Sequence, residues 1–302
     1  MKRIIGYVRS YALSVTPAAF ARCTLFIAIA IFCNYYFGIN KYIIALPRLS
    51  EFAAWSLVFF VAFSAGYLLQ WRAASLQLFQ KPMLLFLLLA APLLFAWKMI
   101  SYERLPFMAD VIENSYWNHV VYWPLKLVVI TIALYFIWKR CNPEQPFYGT
   151  SFKGFDVKPY LGLLLLMLPL LLWASTQPDF LATYPKLKNS IFLAQRGMWY
   201  YKLLYELSYG TDFFTIELFF RGFLVLAFAK WFGKDAVLPM ALFYCTIHFG
   251  KPLGECISSY FGGLILGAIM LQTRSIWGGL MVHLGIAWLM ELFGYFGHQM
   301  VK

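Results

Sequence analysis

Residues 82–97 read PMLLFLLLAAPLLFAW, an uncharged run held between Lys81 and Lys98. A buried strand takes about four to eight apolar residues, so a run of this length is helical. Extended to residue 100, it approaches the roughly 20 residues that cross a hydrocarbon core about 30 Å thick. Working outward, similar runs occupy 52–71 and 19–38 on one side. On the other side they occupy 119–138, 159–176, 199–229, 236–250, 255–273 and 276–297. The reading is an all-α, polytopic transmembrane helix bundle of about eight or nine spans. Run 199–229 is too long for one simple span, so Gly210 is expected to divide an interfacial stretch from a membrane helix, with Asp212 as its cap.

Composition demands the same solvent. Of 302 residues, 62% are hydrophobic and only 13% are charged, against about a quarter charged in soluble domains. With mean hydropathy +0.68, no part reads as a water-soluble domain, and lipid is the expected surrounding partner. The net charge of +12 does not point to nucleic acid, because Lys and Arg gather in short connections between apolar runs. That is the positive-inside pattern, and its bias places the N-terminus in the cytoplasm. Lys2, Arg3 and Arg9 give the N-terminus basic character, but Ala18-Ala19-Phe20-Ala21 precedes the first long run, which therefore stays as an anchor. The expectation is an integral, multi-pass membrane protein, in the inner membrane should the chain be bacterial. The five cysteines, Cys23, Cys33, Cys141, Cys245 and Cys256, show no paired spacing, which argues against a disulfide framework or metal cluster.

Stretches 139–158 and 177–198 are polar enough to be extramembrane loops. The chain is accordingly read as N-terminal transmembrane helices over 1–158 and a C-terminal transmembrane region over 159–302. Within the latter, a core of about four helices at 199–297 carries the chemistry. Small residues between Phe261 and Gly267 read as a close helix contact.

Ionisable groups inside spans are unfavourable and mark sites by default. Glu217, Arg221, His248, Glu255, His283 and Glu291 all fall in or beside C-terminal spans. Glu217 and Arg221 are four apart, on one helix face and close enough to pair; a purely structural ion pair is the alternative. A neutral imidazole is both a metal ligand and a general base, which makes His248 and His283 candidates for either task. Glu255 follows the Gly250–Gly254 break and opens the next helix, where it caps or catalyses. Glu291, two turns after His283, is placed to orient that ring through a water or to sit near the membrane surface.

These residues resemble the CAAX protease and bacteriocin-processing family of intramembrane proteases, also called the Abi family. Its first motif is two glutamates, three residues, an arginine and usually a glycine; Glu217-Leu218-Phe219-Phe220-Arg221-Gly222 matches from the second glutamate onward. Its second, an aromatic residue with a histidine four later, is matched by Tyr244 and His248. The third begins at His283. The resemblance implies an endopeptidase acting on a membrane-associated protein or peptide. In it, His248 and a carboxylate, Glu217 for preference, activate water; His283 polarises the carbonyl, and Arg221 fixes Glu217. Two departures stand out: Ile216 replaces the first glutamate, and Ala287 replaces the polar residue four after the last histidine. Glu255 is a substitute base. A divalent metal such as zinc on His248, His283 and Glu217 is a chemically reasonable variant.

Other readings remain. The departures suit a catalytically inactive relative serving as a membrane scaffold or immunity-type binding protein. A transporter with a proton relay is weaker, because no paired halves are visible. The protease reading requires Glu217, His248 and His283 to meet around one water-accessible cavity.

Overall fold

The computed structural model describes residues 2–70, 80–100, 105–153, 155–186, 192 and 198–300. Among these residues every regular element is helical. The N-terminal part holds α1 (Lys2–Ser14), α2 (Pro17–Phe37), α3 (Ile39–Ile44), α4 (Arg48–Leu69), α5 (Pro82–Met99) and α6 (Val111–Cys141). After α7 (Lys158–Ala174) and the short α8 (Pro178–Thr183) comes one long helix in three parts. These are α9 (Trp199–Ile216), a π-helical stretch Glu217–Val225, and α10 (Leu226–Phe232). The chain closes with α11 (Val237–Thr246), α12 (Leu253–Thr273) and α13 (Trp277–Met300).

Six of these helices, α2, α4, α5, α6, α12 and α13, are long and apolar enough to cross a membrane. The α7 helix, the α9–α10 helix and α11 account for the other apolar runs, so the all-α polytopic bundle stands as read. Its outer surface is apolar, with Leu25, Ile29, Phe32, Leu57, Leu165 and Leu166 turned outward, as lipid requires.

The core forms around α11. All ten of its residues are buried, and a short helix apolar on every side has to be enclosed by others. It packs against α2, α4, α12 and the π-helical stretch. Aromatic rings tie these elements together: Phe243 lies 4.8 Å from Phe59 and 5.2 Å from Phe220, centroid to centroid. Such pairs add about 0.5–1.5 kcal/mol each beyond area burial. The close contact expected from the small residues is made by Gly263 and Gly267, where a Cβ would press on Tyr244 and on Met240 and Val237; Gly262 faces open space.

Three expectations are corrected. The helix runs through Gly210, which packs beside Leu284 and Trp288, and the irregularity falls instead at 217–225. Asp212, inside that continuous helix, caps nothing: its Oδ2 accepts a hydrogen bond from Lys98 Nζ at 2.9 Å, and Oδ1 lies 2.9 Å from the same ammonium. Within the connection 139–158, Tyr148 is fully buried, its carbonyl seated over Gly222. The α6 helix begins at Val111, earlier than the apolar run, because Asp110 caps it by accepting the Glu113 N–H at 2.7 Å. Of the other polar stretch, residues 187–191 and 193–197 lie outside the described residues.

Candidate functional site

The π-helical stretch carries the first motif. A π turn is rare and commonly sits at functional sites; here it presents Glu217 and Arg221 inward, 0% and 1% exposed. Arg221 Nη1 lies 3.3 Å from Glu217 Oε1. The same oxygen lies 3.0 Å from Nδ1 of His283, which α13 brings in. An ionised carboxylate only accepts, so His283 Nδ1 donates and leaves Nε2 as the acceptor of the neutral ring. Tyr244, near the end of α11, donates its hydroxyl to that nitrogen at 3.2 Å. The Arg221 guanidinium stacks over the Tyr244 ring at 4.0 Å, a cation–π contact strengthened by desolvation. Glu217 Oε2 has no hydrogen-bond partner among the described residues and lies against Gly279, where a side chain would collide with it.

His248 stands on the other side of Tyr244. Their ring centroids are 4.8 Å apart, and its Nδ1 donates to the Tyr244 carbonyl at 2.9 Å, leaving Nε2 as the basic nitrogen. No hydrogen bond joins His248 to Glu217 among the described residues. Glu255, in the first turn of α12, takes Lys251 Nζ at 3.2 Å and the Tyr184 hydroxyl on both oxygens, at 3.1 and 3.0 Å. Burial and then the neighbouring Glu255 charge hold the Tyr184 phenol well above its ordinary range, so it remains a donor. For Lys251 burial acts downward, but Glu255, Tyr209 and Asp212 together outweigh it and the ammonium is held above its ordinary range.

The motif residues thus meet at Tyr244, which touches Arg221, His283 and His248, while Glu255 is held by Lys251 and Tyr184. Among Glu217, Arg221, His248 and His283, His283 is the most open, its side chain 14% exposed. An apolar cleft of about 280 Å³ between α2 and α12, lined by Thr24, Ile27, Ile31, Ile257 and Tyr260, shares no residue with the cluster. Glu291 Oε1 accepts the Lys186 N–H at 2.9 Å and ties down the segment after α8. Among the described residues no three His, Cys, Asp or Glu side chains are grouped to hold a metal ion. Ile216 is buried in the core, and Ala287 packs with Tyr209 and Phe213; both departures are sealed in apolar contacts.

Sequence reading assigned no part to the Tyr244 hydroxyl, Tyr184 or Lys251. The signal for the first was available, because a buried tyrosine, unlike phenylalanine, brings a hydroxyl that needs a partner.

Residues 204–289 match the family model of Rce1-like type II CAAX prenyl endopeptidases. The resemblance carried by the three motifs is borne out over this segment, which holds every residue of the Tyr244-centred cluster. The Rce1-like segment begins within α9 and ends within α13, and it leaves α1 to α8 outside. No curated protein and no solved structure matches the chain. An Rce1-like segment within a many-helix apolar chain makes this an integral, multi-pass membrane protein.

Proposed function

We propose that the chain is an intramembrane endopeptidase that hydrolyses a peptide bond of a membrane-associated protein or peptide. One observation carries the reading: three motif stretches distant in sequence meet at Tyr244, whose side chain lies against both imidazoles, with Glu217 bonded to one of them. Glu217 is fully buried with Oε1 already shared by Arg221 and His283. It is therefore assigned to hold His283, and not to activate water.

Water is activated by His248, whose Nε2 takes a proton as the water oxygen bonds to the carbonyl carbon. Glu255 is assigned to favour the imidazolium that results, since position 216 offers no carboxylate. His283, held by Glu217, fixes the Tyr244 hydroxyl through Nε2. When the intermediate collapses, the carbon–nitrogen bond breaks and the imidazolium returns its proton to the leaving amine. General acid–base catalysis of this kind contributes about 10²–10⁴ in rate.

A second reading is favoured by the apolar burial of Ile216 and Ala287: a catalytically inactive relative that binds a membrane partner. Purified protein offered a membrane-tethered peptide separates the two. Under the protease reading the wild type cleaves, and His248→Ala or His283→Ala each abolishes cleavage. A wild type that captures the peptide without cleaving it, at any pH from 5 to 9, would make the second reading the correct one.

A further inference from the structure

Ala287 leaves a specific deficit. The developing oxyanion of peptide hydrolysis needs preorganised donors about 2.7–3.1 Å from where it will lie, and the position one turn after His283 offers only a methyl group. We infer that the Tyr244 hydroxyl supplies this missing donor, making Tyr244 a catalytic residue that binds the oxyanion beside His283; the inference rests on the peptidase reading.

The geometry is that of a donor held in place. The hydroxyl lies 3.2 Å from His283 Nε2, an acceptor that holds it until a carbonyl oxygen draws up beside it. The ring has no freedom to turn away. Arg221 covers one face at 4.0 Å, Phe220 meets it edge-on at 5.1 Å, and His248 does so at 4.8 Å. Even a methyl group on Gly263 would come within 3.1 Å of Cδ1. A tyrosine has only two side-chain torsions to fix, so this packing aims the hydroxyl at little further cost. At rest the hydroxyl donates to Nε2. When a carbonyl oxygen gains charge it becomes the stronger acceptor and the O–H turns to it, with no covalent change at Tyr244.

The neighbouring candidates do not serve. Arg221, 1% exposed, is paired with Glu217 and stacked on the ring. Tyr184 donates to Glu255, on the water-activating side. Thr215 donates to the Thr211 carbonyl within its own helix.

The test is Tyr244→Phe, which keeps the ring and all its packing and removes one oxygen. With a membrane-tethered peptide, kcat is expected to fall about 10²–10³-fold, the usual effect of losing one oxyanion donor, while KM holds within about threefold. Affinity for a phosphonate analogue of the same peptide, a tetrahedral anion, is expected to fall in parallel with kcat. A Tyr244→Phe enzyme that keeps wild-type kcat overturns the inference and leaves the peptidase reading standing. So does an equal loss of substrate and phosphonate binding, which would mark Tyr244 as structural. A wild type that neither cleaves the peptide nor prefers the phosphonate overturns both.

Discussion

Glu217 has one carboxylate oxygen shared by Arg221 and His283, and the other lies against the backbone of α13. Such a group is expensive to bury, and its retention depends on the guanidinium four residues on. Removing one partner of a buried ion pair costs about 3–5 kcal/mol, because the other is left uncompensated. Arg221→Ala is therefore expected to destabilise the fold by about that much in thermal unfolding followed by helicity in detergent. Arg221→Lys is expected to recover only part of it, because an ammonium cannot both pair with Glu217 and lie flat on Tyr244. Equal stability of wild type and Arg221→Ala would show the pair to be dispensable. The pairing itself was legible in the sequence, since a spacing of four places both side chains on one face. That Glu217 serves His283 and not His248 was not legible. Spacing along one helix says which residues are neighbours on it, and nothing about which distant helix faces them.

At the scale of the element, the apolar runs gave the helices because lipid demands long uncharged segments, and the run lengths are readable directly. Boundaries were missed where polar residues continue a helix, as in the first turns of α6, whose polar side chains such as Asn118 are buried among neighbours. The π-helical stretch was invisible for a different reason. All nine residues from Glu217 to Val225 are buried, so no alternation of exposed and buried positions records the period. What the sequence did signal was the seam between α11 and α12. Gly267 lies where Met240 and Val237 would meet a side chain, and both belong to the enclosed α11. Gly267→Leu is expected to force α12 off α11. Overpacking of this sort costs about 1–3 kcal/mol, and here it also shifts Tyr244 and His248, which α11 and its following turn carry. Thermal unfolding and peptide cleavage should therefore fall together; a variant with wild-type values of both would show that the seam tolerates separation.

At the scale of the molecule, the site is held by helices outside the family-matched segment. Asn34 of α2, 2% exposed, donates through Nδ2 to the Phe249 carbonyl at 2.9 Å and accepts the Asn40 N–H on Oδ1 at 3.0 Å. One residue on, the Tyr35 hydroxyl donates to the Lys251 carbonyl at 2.6 Å. These two bonds grip the turn that joins His248 to Glu255, the two groups assigned to water activation. A turn between buried helices has carbonyls that must find donors, and α2 supplies two of them. Asn34→Leu fills similar volume but leaves the Phe249 carbonyl unpaired, at an expected cost of about 1–3 kcal/mol; Tyr35→Phe removes the second bond alone. Neither side chain contacts the Glu217–His283 pair, so both variants are expected to lower cleavage while the phosphonate, read chiefly by the Tyr244 hydroxyl, still binds. The double variant should lose more than the sum of the two, since a turn freed at both carbonyls can swing His248 away from Glu255 where either bond alone restrains it. Strict additivity in a double-mutant cycle would mean that the bonds act as independent anchors and that α2 does not set the geometry of the water-activating side.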